Sequence, residues 1–281
     1  MLDKEEYIEQ AHLFRSLSER LSANEPIQEL LAALKAEILV TTKLPMAIDY
    51  LLAELNHSGQ MTSALQRLLH YFAPFQTFVI REAEYDWGRF DLVTAFAILH
   101  HEAELRARCI EPAALFFYQF ESLCRNRLRY DDGLAAMSQD LYYDDTWKKW
   151  LARAHKRIES VGLADLVYVH SEYYLNRQAQ LETQEQVENV ILFGEREGKI
   201  ALANRQKDPA YLFSALQRQL GYPQAPRRKT RDQAADLIPQ LLRQVERIEV
   251  RLKLMEEEQR SGAIDLSKFM DPNKYKFPRT D

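Results

Sequence analysis

His100 and Glu104 stand four residues apart in a stretch that reads as helix, with His101, Glu102 and Asp91 close by in sequence. Two donors one turn apart share a helix face and are how many metal sites begin. A third donor at matching spacing is missing from the pattern, so the stretch reads as a solvated face and no metal is assigned. In "VHSEYY", His170, Ser171 and Glu172 are consecutive. On a strand, neighbouring side chains point to opposite faces, so His170 and Ser171 are not a base and its nucleophile. His170 and Glu172 would share a face, as an acid–base pair with Glu195 nearby or as a hydrogen-bonded structural pair. Gly194 and Gly198 have neither the spacing nor the Lys-Ser/Thr of a phosphate loop. No catalytic residue and no cofactor is assigned.

Other groups suit contact better than catalysis. Tyr85-Asp86-Trp87 and Tyr142-Tyr143-Asp144-Asp145 mix acids with aromatics, the residue types that anchor interfaces. "PRRKTR" is basic and could touch an anionic surface or nucleic acid. It lacks the interleaved aromatics of a single-strand platform, and it falls where a linker is expected. The net charge of −5 gives no global reason for nucleic-acid or membrane binding.

The elements that would position these groups are helical. With 46% apolar residues, 28% charged residues and only 8 glycines in 281, the chain suits a soluble helical protein. Leu13, Phe14, Leu17 and Leu21 recur at helical spacing, and Ile27, Leu30, Leu31, Leu34 and Ile38 resume the stripe after "SANEP". Thr42–Leu55 gives another helix, His57-Ser58-Gly59 a turn, and Met61–Phe72 the next. Ala73-Pro74 ends that one, since the residue before proline is biased away from helix. Phe75–Tyr85 and Phe90–Arg106 complete a set whose short joints imply antiparallel neighbours. "PAALFFYQFESLCRNRL" and "TWKKWLARAHKRIES" continue as helices.

The texture changes near Val161. "LVYVHSEYYL" (166–175) is β-branched and aromatic, and "VILFGEREGKIALA" (190–203) reads as a hairpin around Gly194 and Gly198. Asp208 and Pro209 open a helix that Gly221 closes. After the basic linker, Ile238, Leu241, Val245, Ile248, Leu252 and Met255 alternate three and four apart as a short heptad seam. Cys109 and Cys124 read as free core thiols. The polar start "MLDKEEYIEQ" is no secretory signal, and no apolar run approaches a membrane span, so the expected location is cytoplasmic.

Residues 13–106 resemble the repeated helical domain of the type II secretion F family, which includes the platform proteins of secretion systems and type IV pili. "LFRSLSERLSANEPIQELLAAL" (13–34) fits its opening helix, turn and second helix. "LAELNHSGQMTSAL" (52–65) fits the helix that ends in a Ser-Gly turn, and "YFAPFQTFVI" (71–80) the Phe-Pro corner. "AEYDWGRFDLVTAFAILHHEAEL" (83–105) echoes the closing turn and helix. There Ala83 and Gly88 match the family pattern, while Glu84, Tyr85 and Trp87 replace its Gly, Glu and Ser. A partial echo returns at 114–137. The resemblance implies a scaffold, and the lack of spans implies a soluble relative rather than a platform protein.

The expectation is therefore a mainly α protein with six parts. An N-terminal antiparallel helical bundle (1–110) and a helical extension (111–160) precede a small α+β module (161–225). A basic linker (226–231), an amphipathic coiled-coil-like helix (232–260) and a tail (261–281) follow. The expected function is a non-enzymatic scaffold or adaptor, with a secretion or pilus-type assembly as its setting. Glu84, Tyr85, Asp86, Trp87 and Arg89 are its partner-binding residues, and the C-terminal seam would either make a homodimer or dock on the protein's own body. The alternatives are a metal-dependent or acid–base enzyme sited in 161–225, and nucleic-acid association through Arg227, Arg228, Lys229 and Arg231.

Overall fold

Prolines and acidic caps set where several of the described helices start. In the computed structural model, residues 2–21, 25–85, 90–180 and 190–227 are described, with the backbone alone over 155–161. The chain divides into two units, Met1–Arg228 and Lys229–Asp281, and the second lies wholly outside the described residues. The expected seam from Ile238 to Met255 falls there, as does half of the basic linker, Lys229, Thr230 and Arg231. Asp86, Trp87, Gly88 and Arg89 are likewise outside the description.

Thirteen helices make up the described part. They are α1 (Lys4–Leu21), α2 (Ile27–Glu37), α3 (Leu44–Ser58), α4 (Thr62–Arg67), α5 (Pro74–Glu84), α6 (Leu92–Ala107) and α7 (Pro112–Asn126). Then follow α8 (Tyr130–Ser138), α9 (Asp145–Val161), α10 (Leu163–Val169), α11 (Glu172–Gln180), α12 (Glu195–Ala203) and α13 (Pro209–Leu220). None of these helices is long and apolar enough to cross a membrane.

Several ends are dictated locally. α3 closes on Gly59 at φ +73°, the left-handed conformation glycine adopts without a Cβ penalty. Pro74 is the first residue of α5, where its missing N–H is no loss, and Gln76 Oε1 accepts from Ala73 N at 3.0 Å. Asp91 accepts from Thr94 N to open α6, and Asp144 from Trp147 N to open α9. The helix expected over Met61–Phe72 is shorter, stopping at Arg67.

α6 lies along α1 and also meets α5 and α7; α5 packs on α8, and α8 on α9. Their apolar faces feed one cluster that extends from Ala11 to Ala225. Leu17, Ile48, Phe75, Phe96, Leu99, Phe116 and Phe117 are completely buried in it. Each such side chain contributes about 1.5–3 kcal/mol of hydrophobic stabilisation. Phe116 is a hub: Phe120, Trp147, Trp150 and Phe193 all have ring centroids within 6.1 Å of it.

The β structure expected in 161–225 is absent from the described residues. The 166–175 stretch is α10, a turn at His170-Ser171, and the start of α11. Leu163, Leu166 and Val167 are buried at helical spacing, so tertiary packing overrides their β-prone composition. The expected hairpin over 190–203 is α12, with Gly194 before it and Gly198 inside it. A single isolated parallel bridge joins Ser171 to Phe193. Gly198 is a point of close approach rather than a turn: a Cβ there would come within 2.7 Å of Ser171 Cβ and 2.8 Å of Tyr173 Cβ.

Candidate functional site

Glu102, the acid beside His101, proves to be interior. It is completely buried on α6, and one turn later Arg106 is 2% exposed. Arg106 Nε donates to Glu102 Oε1 at 2.7 Å, and the two outer nitrogens of the guanidinium donate to the Asp140 carboxylate. One cation thus faces two buried carboxylates, which would be costly without further donors. Neutral groups supply them. Gln76 Nε2 and Gln119 Nε2 donate to Glu102 at 2.9 and 3.0 Å, and Tyr142 N donates to Asp140 Oδ1 at 3.0 Å.

The network reaches outward from there. Gln76 Nε2 also bonds Gln10 Oε1 at 3.2 Å, and Tyr143 OH donates to Gln119 Oε1 at 2.8 Å. Farther along α1, Tyr71 OH donates to Glu6 Oε2 at 2.7 Å, and Lys43 N to Glu6 Oε1 at 2.9 Å. Desolvation opposes the charge on Arg106, but Glu102 and Asp140 outweigh it and hold its pKa well above the ordinary value. Burial pushes the Tyr143 hydroxyl up as well, so it stays a proton donor. These groups satisfy one another away from water, which is what a structural spine requires.

The expected partner-binding residues divide. Glu84 is engaged within the fold: its carboxylate accepts from Met61 N at 2.5 Å, Thr62 N at 3.0 Å and Thr62 Oγ1, where α4 begins. Tyr85 is 55% exposed, and the Arg129 guanidinium lies 5.3 Å from its ring centroid. Arg129 is held by Glu82. Tyr85, Glu82, Phe90, Asn126, Arg127, Leu128 and Arg129 line a cleft of about 250 Å³. Arg127 is exposed there, in left-handed backbone at φ +54°.

The residues weighed for catalysis are not arranged as expected. With no strand through them, the alternation that would align His170 and Glu172 does not exist. The His170 ring packs edge-on against Trp150 at 5.8 Å. Glu172 is exposed, and Glu195 pairs with Lys199 at 2.6 Å on its own helix. Ser171 is buried and donates to the Tyr168 carbonyl. Both cysteines are free, but only Cys124 is shielded; Cys109 is exposed just past α6 at φ +49°. That corrects the reading of both as core thiols.

His100 and Glu104 do meet, and His101 joins them. Glu104 Oε2 lies 3.9 Å from His100 Nε2 and 3.3 Å from His101 Nδ1. The other nitrogen of His100, Nδ1, donates to the Ala11 carbonyl on α1 at 3.0 Å. Burial lowers the His100 pKa, which favours the neutral ring. Sequence reasoning missed the third donor because consecutive helix positions nominally diverge by about 100°. Here the rings of His100 and His101 have centroids only 4.8 Å apart. In comparisons with family models, with curated proteins and with solved structures, nothing matched this chain.

Proposed function

We propose that this chain is a non-enzymatic cytoplasmic scaffold or adaptor, and that it meets a protein partner at the corner where α5 ends. The observation that carries this reading is Tyr85, an aromatic ring left 55% exposed while Arg129 braces it. Tyrosine and arginine are prominent among the anchors of protein interfaces. The adjoining cleft offers Phe90 as an apolar contact and Arg127 as a charged one. A segment carrying one apolar and one acidic side chain fits that chemistry. The closed network around Arg106 supports the non-enzymatic part, since its acids and base serve each other rather than solvent.

The likeness over residues 13–106 supports a secretion or pilus-type assembly as the setting. Dimerisation through Ile238, Leu241, Val245, Ile248, Leu252 and Met255 belongs to the same proposal. The test is site-specific photo-crosslinking in the native host, with the probe at Tyr85 or Arg127 and a control at Lys207. A discrete protein adduct from 85 and 127, missing at 207, is expected. No adduct from either, or identical adducts from all three, would reject the corner as the partner site.

A further inference from the structure

His100, His101 and Glu104 place two imidazole nitrogens and a carboxylate oxygen within 4.8 Å of one another on α6, and we propose that they bind one divalent transition-metal ion. Zinc-type ions bind histidine nitrogen at about 2.0–2.1 Å and carboxylate oxygen at about 2.0–2.2 Å. Donors around a tetrahedral ion at those lengths stand roughly 3.3–3.5 Å apart. The edge from His101 Nδ1 to Glu104 Oε2, at 3.3 Å, already has that length. The edge from His100 Nε2, at 3.9 Å, and the wider one between the two rings, within 4.8 Å, close when the partly exposed His101 and Glu104 side chains rotate inward.

Ring orientation is the stronger argument. A carbonyl only accepts, so the contact to Ala11 O puts the His100 proton on Nδ1 and leaves a lone pair on Nε2. This outer hydrogen bond is the device that fixes the tautomer and direction of metal-bound histidines. The lone pair then faces Glu104 Oε2, another acceptor. In the ion-free site only the proton that His101 donates to this oxygen offsets the meeting of the two acceptors, and a cation seated among the three would replace it. Arg15, whose charge acts on His100 and on Glu104, is held by Glu19 at 2.9 Å. Without an ion His101 Nδ1 donates to Glu104 Oε2 at 3.3 Å, so a metal would take the place of that proton and leave the ring protonated on Nε2; the Tyr118 ring buttresses it edge-on at 6.5 Å.

Two imidazoles and one carboxylate select zinc, cobalt or nickel over calcium or magnesium, which prefer all-oxygen shells. Three protein ligands leave a position for water. Because the ligands ride on α6 and the orienting carbonyl on α1, the ion would also tie those helices together.

The full chain, purified without a histidine tag and stripped by chelator, should be titrated with Co²⁺, Zn²⁺ and Ca²⁺. One equivalent of Co²⁺ is expected to bind with visible ligand-field bands, Zn²⁺ should displace it, and Ca²⁺ should not. His101→Asn and Glu104→Gln should each weaken Co²⁺ binding at least about tenfold. His57→Asn and His70→Asn, at exposed positions elsewhere, should leave it unchanged. Zn²⁺ should raise the Tm of the wild type but not that of Glu104→Gln. Glu104 is 36% exposed, so that variant keeps the fold testable should His101→Asn destabilise it. Absence of saturable binding at one equivalent, or unchanged affinity in Glu104→Gln, would overturn the proposal.

Discussion

Arg106 and Asp140, thirty-four positions apart, form a two-pronged ion pair in which both residues are 2% exposed. With Glu102 on the other side of the guanidinium, the only cation in this network separates two carboxylates. Arg106→Met would leave them buried and facing each other. Such a loss is worth about 3–5 kcal/mol, and urea unfolding of the full chain is the measurement. Asp140→Asn should be milder, because it leaves the Arg106–Glu102 pair balanced. A loss under about 1 kcal/mol for Arg106→Met would contradict the network's importance.

Gly198→Ala should destabilise more than Gly59→Ala. At 198 the new methyl collides with Ser171 and Tyr173, whereas at 59 nothing lies within 4 Å and only the φ of +73° is unfavourable. Expected losses are about 1–3 kcal/mol for overpacking against about 1 kcal/mol for strain. Thermal melts of the two variants decide the order.

Glu84→Ala should loosen the start of α4. Its carboxylate receives both Met61 N and Thr62 N, so the loss is of the kind an N-cap substitution produces, about 1–2 kcal/mol. Amide exchange at 61 and 62 should quicken while that of α6 holds. Uniform quickening across all helices would mean that Glu84 supports more than this one end.

The two thiols should separate by reactivity. Burial pushes the Cys124 thiol up to about 12, whereas Cys109 is exposed. At pH 8 a thiol reagent should label only Cys109 in the native chain, and both after denaturation. The raised value also has a stability sign. The folded state favours the protonated thiol, so this contribution holds below the unfolded thiol range and is lost as pH rises towards about 12. Rapid native labelling at Cys124 would show that its site opens readily.

Local chemistry made much of the helix layout legible. Gly59, Asp208, Pro209 and Gly221 act through their own backbone and neighbours, and each occupies the end expected of it, whereas Pro74, expected to end the helix before it, instead opens α5. In residues 166–175 the β-prone composition masks the period: with Leu163 just before them, Leu166 and Val167 carry the helical spacing. Gly198 looked like a turn residue because a sequence does not show what approaches it from another helix. Glu102 and Arg106 were opaque for a related reason. An acid and a base four apart normally mark a wet face, and only Asp140, Gln76 and Gln119 arriving from elsewhere make them interior. His101 was seen in sequence, but its turn towards His100 was not.

The spine around Arg106 also bears on the order in which the chain assembles. Its members sit at 10, 76, 102, 106, 119, 140 and 143, so no local segment can form it alone. Until the last donor arrives, each charged group does better in water than half-enclosed. Helices that draw together on their apolar faces first, with the ion cluster dehydrating afterwards, avoid that cost. Contacts made after the rate-limiting barrier govern unfolding rather than folding. A buried spine completed in that order would act as a latch on a structure already built, slowing unfolding more than it speeds folding.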